Sequence, residues 1–182
     1  MIIIGIDPGI ANTGFGVVRT VGERMVALDG GVIETPESMR VEQRLGRLHE
    51  SLGELIRWHE PKAMALEDLF FGKNVSSAVS VGQARGVALL AAAIHAVPCF
   101  DYTPQAVKKA VCGSGSADKD QVQRMVASLL GLPEPPTPDH AADAFAVAIS
   151  HAGTAAARYA EHFGRGRTGS APAVGARQQL AG

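Results

Sequence analysis

The chain opens on "MIIIGIDPGIANTGFGVV" (residues 1–18), and the reading of this stretch decides the rest. Ile2, Ile3, Ile4 and Ile6 form a short apolar run that predicts a buried strand. Asp7 stands at its end, directly before Pro8 and Gly9. An ionised carboxylate among apolar neighbours is costly unless a hydrogen bond or a positive charge meets it. A turn cap, a salt-bridge partner or a metal ion would each satisfy it.

Working outward, "GFGVVRT" (14–20) and "RMVALDGGVIE" (24–34) predict two more strands. The connections are short, which favours an antiparallel meander. Val41, Leu45, Leu48, Leu52, Leu55 and Ile56 recur at helical spacing and predict an amphipathic helix over 37–59. "KAMALE" (62–67) reads as a short buried strand ending on Glu67, followed by a small-residue helix over 75–96. "VPCFDYT" (97–103) predicts a fifth strand, and Thr103 then caps a helix with Pro104 in its first turn. A Gly/Ser loop at 113–116 feeds a helix ending near Gly131. After the stiff "PEPPTP" (133–138), a last helix begins with Thr137 as cap and Pro138 inside it. Three strands followed by alternating helices and strands imply an α/β fold with a mixed sheet. Residues 1–163 are expected to form one domain. Residues 164–182 hold five Gly, three Arg and no acid, and are expected to be a disordered basic tail.

Composition narrows the function. At 182 residues, 46% hydrophobic, the chain can bury a core. No positive leader or long apolar run marks a signal peptide or a membrane span, so a cytoplasmic protein without a membrane is expected. Cys99 and Cys112 sit in no metal or redox spacing and read as free thiols. Seventeen basic and eighteen acidic residues give a net charge of −1, unlike a typical nucleic-acid binder. Two bound divalent cations would bring that charge to +3, so a polyanionic substrate stays open.

The acids gather in a suggestive pattern. Asp7 and Glu67 each end an apolar strand, and "DHAAD" (139–143) opens the last helix. Asp139 and Asp143 are four apart and His140 and Asp143 three apart, so either pair shares one helix face. Ligands converging from two strands and a helix could hold two divalent cations. Carboxylates suit Mg²⁺, and the imidazole of His140 also admits Mn²⁺. Plainer readings exist for each: Asp7 capping a turn, Glu67 solvated, Asp139 answering the helix dipole, His140 on the surface. Lys119, in the first turn of its helix, is placed for a phosphate contact or simply for solvent between Asp118 and Asp120. Phe70 and Phe71, just beyond Glu67, suggest base stacking, although Phe71 fits the core better.

Taken together, "GIDPGIANTGFGVV", "ALEDLFFGKNVSSAVSVGQARGVALL", "VKKAVCGSGSADKDQVQRMV" and "TPDHAADAFAVAISH" resemble the RuvC-type Holliday-junction resolvases, in order, over about residues 1–151. "GIDPG" alone is weak, whereas "GKN…GQARG" and "GSGSADK" are specific. The resemblance implies a ribonuclease-H-like fold, a mixed five-stranded sheet flanked by helices. It also implies a homodimer and Mg²⁺-dependent paired nicking of strands of like polarity across a four-way DNA junction. A branch-migration motor complex is the further partner it implies. By position, Asp7, Glu67 and Asp143 would be catalytic metal-binding acids and His140 the remaining ligand. Many members carry Asp where this chain has His140, and Asp139 could substitute for it. Phe70 would meet junction bases, and Lys73, Lys108 and Lys119 the DNA backbone. Gly82 and Gly86 would allow close approach along the long helix, either to the core or to a second copy.

Two other function classes compete. A sugar-kinase-like or actin-like ATPase also carries an acid after its first strand, but needs a duplicated domain that 182 residues cannot hold. A catalytically inactive junction-binding module would gain by losing negative charge near phosphates, and this chain keeps its acids.

Overall fold

The computed structural model describes residues 1–68 and 75–164. Five strands, β1 (Ile2–Asp7), β2 (Asn12–Val21), β3 (Arg24–Glu34), β4 (Ala63–Glu67) and β5 (Cys99–Tyr102), form one sheet in the order β3-β2-β1-β4-β5. The pairs β1–β2 and β2–β3 are antiparallel, as the meander requires. The pairs β1–β4 and β4–β5 are parallel, the chain reaching β4 through β2, β3 and a helix, and β5 through a helical crossover. Five helices complete the described residues: α1 (Val41–His59), α2 (Val75–Ile94), α3 (Pro104–Cys112), α4 (Lys119–Leu130) and α5 (Asp139–Gly164).

Strand alternation splits the core in two. Ile4 and Ile6 of β1, Val17 of β2, and Met64 and Leu66 of β4 pack with Leu48, Leu52 and Ile56 of α1 and the alanines of α2. Ile3, Val18, Ala63, Ala65 and Phe100 face the other way, onto α3, α4 and α5. Asp7 and Glu67 follow the parity of this second set. Both carboxylates therefore belong to the face covered by α5.

That helix lies unusually close. Gly5 pairs with Gly16, and Gly16 with Gly30, so three glycines make one row across β1, β2 and β3. A Cβ on Gly5 would lie 2.1 Å from the Ala144 carbonyl oxygen, and the Phe145 ring covers Gly16 and Gly30. Beside Asp7 in the ladder, Gly14 admits the first turn of α5: a Cβ there would lie 2.0 Å from the His140 carbonyl oxygen. The glycines let the helix backbone rest on the sheet, which brings residues 140 and 143 down to the strand ends.

Several boundaries differ from the sequence expectation. α1 begins at Val41 rather than at 37, because Gln43 turns its side-chain oxygen back to the Arg40 N–H at 3.1 Å and starts the helix there. α5 begins at Asp139, after a cis Thr137–Pro138 peptide. The Pro138 carbonyl accepts from the Ala141 N–H at 2.9 Å, so Pro138 stands just ahead of the helix and Thr137 is not its cap. Thr103 does cap α3, accepting from the Ala106 N–H at 3.2 Å. Gly82 and Gly86 of α2 do not serve the core, since a Cβ on either would meet nothing within 4 Å. Of the stretch expected to be a tail, Gly164 closes α5 and 165–182 lie outside the described residues. No helix among the described residues is long and apolar enough to cross a membrane.

Candidate active site

The register Ile6↔Leu66 sets Asp7 beside Glu67 at the C-terminal ends of two adjacent parallel strands. The turn after Asp7 is held by other groups. The Thr13 hydroxyl donates to the Gly9 carbonyl, the Thr35 hydroxyl to the Ile10 carbonyl, and the Thr35 N–H to the Ala11 carbonyl at 2.9 Å. Arg44 of α1 braces Thr35 in turn, through its hydroxyl and its carbonyl. Asp7 is thus not spent on its own turn. Its carboxylate Oδ2 lies 2.7 Å from Nδ1 of His140, which reaches it from the first turn of α5.

Asp143, one turn further along α5, completes a group of three carboxylates. Burial, the charges of Asp7 and Asp143, and a hydrogen bond with Asp7 push the Glu67 carboxyl up to about 7, against an opposing pull from Lys108. Burial likewise raises Asp143, with Lys119 pulling it back and Asp7 adding to the rise. Lys119 approaches Asp143 at 3.7 Å and Asp139 at 2.8 Å. Lys108 of α3 and Lys119 of α4 line a cleft of about 210 Å³ together with Glu67 and Asp143, over a floor of Val107, Val122 and Ala146.

Asp139 and His140 are placed differently by the start of α5. Asp139 is exposed and turned toward α4, held by Lys119 and by Gln123 at 3.0 Å, and these two contacts lower its pKa. His140 reaches Asp7. Lys119 does more than its sequence position suggests, since it pairs with two aspartates of α5. Phe70, Phe71 and Lys73 lie outside the described residues. Sequence reasoning misses Arg85, whose guanidinium reaches the Glu67 carbonyl at 3.0 Å. The available signal is a lone arginine in a helix of small apolar residues.

The donor set is carboxylate oxygen plus imidazole nitrogen, which fits Mg²⁺ or Mn²⁺. Among the described residues, no group of three or more His, Cys, Asp or Glu side chains is gathered closely enough to hold a metal ion as it stands. Within the protein, His140 Nδ1 meets Asp7, Lys119 lies 3.7 Å from Asp143, and burial with the neighbouring acids raises the Glu67 carboxyl to about 7. Positive charge is what this cluster demands, and divalent cations satisfy the same demand.

The family model described as crossover junction endodeoxyribonuclease RuvC matches residues 3–151. The crossover junction endodeoxyribonuclease RuvC of Rubrobacter xylanophilus is 53% identical over 151 residues, 83% of this chain and 84% of that protein. Among solved structures, Thermus thermophilus RuvC is 40% identical with a TM-score of 0.81, over 87% of this chain and 97% of that one. The same Thermus protein in complex with a Holliday junction substrate gives a TM-score of 0.82 at 40% identity, over 85% and 94%. The five-stranded mixed sheet with flanking helices is accordingly the ribonuclease-H-like fold that the sequence led us to expect.

Proposed function

The chain belongs to the RuvC family of crossover junction endodeoxyribonucleases, and from that premise we propose that it resolves four-way DNA junctions by paired nicks in strands of like polarity. Asp7, Glu67, Asp143 and His140 are the residues that would hold two Mg²⁺ ions, with Mn²⁺ able to replace them. The ions, when bound, supply the charge that activates a water for in-line attack and stabilises the departing 3′-oxygen. The products carry 5′-phosphate and 3′-hydroxyl ends. The single observation supporting this reading is the convergence of three carboxylates and an imidazole from β1, β4 and α5.

The chain's own residues divide the work. Asp7 and Glu67 sit on rigid strand ends, so their carboxylates are held before substrate arrives. Lys108 and Lys119 flank the cleft and attract the phosphate backbone, and Lys119 would exchange its aspartate partners for phosphate. Phe70 and Lys73, following β4, are assigned to junction bases and backbone. A homodimer would set two such sites on opposite strands. Its contact is assigned to the exposed face of α2, where Val79, Leu90 and Ile94 are each more than half exposed beside Gly82 and Gly86. Residues 1–163 are proposed as the nuclease domain, 164–182 as a basic tail, and the protein as a cytoplasmic partner of a branch-migration motor. A nicking assay on a four-way junction, with Mg²⁺ and with chelator, tests the reading. Metal-dependent symmetric nicks are expected, and binding without cleavage would overturn it.

A further inference from the structure

Arg85 sits in the "GQARG" stretch of α2, on the opposite face of the sheet from the acids. The helix around it is made for burial, with Ala84, Ala88, Ala91 and Ala92 in the core. An arginine side chain only 12% exposed at such a place is costly unless its charge and donors are met. Both are met, and by two different strands. Nη2 donates to Asp101 Oδ1 of β5 at 2.6 Å, and Nη1 donates to the Glu67 carbonyl of β4 at 3.0 Å.

Those acceptors mark the end of the sheet. The β1–β4 register stops at Ile6↔Leu66, so the Glu67 carbonyl lies beyond the last paired residue. On the other side the Asp68 N–H closes the ladder on the Tyr102 carbonyl at 2.8 Å. Arg85 supplies the donor that the missing continuation of β1 does not. The guanidinium fork suits this task, because it can address two acceptors at fixed angles while an ammonium cannot. Its burial also removes it from contact with DNA phosphates.

We propose that Arg85 is a positioning residue of the active centre, clamping the ends of β4 and β5 so that Glu67 is presented beside Asp7 and Asp143. The inference rests on the reading of Glu67 as a catalytic acid. Arg85 grips the Glu67 backbone from the α2 face while the carboxylate emerges on the α5 face. It touches no reacting atom. A shift of about 1 Å at the end of β4 is enough to cost about a hundredfold in rate.

The test is single-turnover nicking of a four-way junction at saturating Mg²⁺, alongside junction affinity and melting temperature. Arg85→Ala is expected to slow nicking by at least about tenfold while junction affinity stays within about twofold. Arg85→Lys, which keeps the charge beside Asp101 but loses the fork, should recover only part of the rate. Asp101→Asn leaves Arg85 on the Glu67 carbonyl and should stay within about threefold of wild type. The inference is overturned if either Arg85 variant nicks at the wild-type rate. It is equally overturned if all three variants lose rate, affinity and stability in proportion, as a purely structural tie would. Glu67→Gln run in parallel separates the two readings: full activity there removes Glu67 from catalysis whatever Arg85 does.

Discussion

Nδ1 of His140 lies 2.7 Å from Oδ2 of Asp7, joining the first turn of α5 to the end of β1 across 133 positions of sequence. This contact orients the site, because it places the start of α5 over the strand ends where Glu67 also emerges. The carboxylates are thereby close enough that the charges of Asp7 and Asp143 raise the Glu67 carboxyl.

Removing one of these acids should separate binding from chemistry. Asp7→Asn and, separately, Glu67→Gln are expected to abolish nicking while junction binding stays equal or tightens. Each substitution deletes a metal ligand and one negative charge facing phosphate. Gel-shift affinity and single-turnover nicking on the same junction measure the two effects. Wild-type rates in either variant would remove that acid from the mechanism.

Glu67 also makes stability depend on pH. Its carboxyl titrates at about 7 in the folded protein against an ordinary 4.5, so the folded state holds more protons between those values. Stability of the metal-free protein should therefore fall as pH rises from about 4.5 to 7 and level off above. The ceiling on this effect is roughly 3 kcal/mol, at about 1.4 kcal/mol per pKa unit. Melting in chelator across that range should show the decline, and Glu67→Gln should flatten it. Mg²⁺ added near pH 7 should restore stability and release protons, since ligands bind in their deprotonated form.

Much of this arrangement is legible in the amino-acid order alone. Asp7 and Glu67 announce themselves by ending apolar runs, and the three-residue step from His140 to Asp143 puts both on one helix face. The choice between Asp139 and His140 is not legible, because neighbours on a helix point about 100° apart and only the seating of α5 decides which meets the sheet. The glycine row is hidden for a similar reason. Gly5, Gly16 and Gly30 come from three separate strands and line up only once the register is known. Arg85 is hidden because its partners are a backbone carbonyl and an aspartate from strands that neighbour one another only after folding.

The seating of α5 can be disturbed without touching a carboxylate. A Cβ at Gly14 would overlap the His140 carbonyl oxygen, so Gly14→Ala must push the first turn of α5 away from the sheet. It is expected to lower melting temperature by several degrees and nicking by at least about tenfold. Gly46 of α1 is the control, since a Cβ there meets nothing within 4 Å. Gly46→Ala should stabilise the fold by about 0.5–1 kcal/mol through helix propensity, with unchanged activity.

The exposed face of α2 predicts an oligomeric state. Leu90→Glu places a charge among Val79, Gly86 and Ile94, where a second copy would need apolar contact. The variant is expected to sediment as a monomer with wild-type circular dichroism. It should nick junction strands singly rather than in pairs. A wild-type protein that is monomeric at micromolar concentration, or a Leu90→Glu variant that remains dimeric, would move the contact elsewhere.

His140 carries the most specific chemistry of the site. Nitrogen ligation favours Mn²⁺ over Mg²⁺ more than oxygen ligation does. Mn²⁺ should accordingly support faster cleavage by the wild-type protein than Mg²⁺. His140→Asp is expected to stay active and to lose part of the Mn²⁺ advantage. The geometry sharpens the expectation, because Asp139 is engaged by Lys119 and Gln123 and points away from Asp7. It cannot stand in for the imidazole without breaking both contacts. His140→Ala should therefore lose activity, and Asp139→Ala should cost far less. An unchanged rate and metal preference in His140→Ala would show that the imidazole only packs against Asp7.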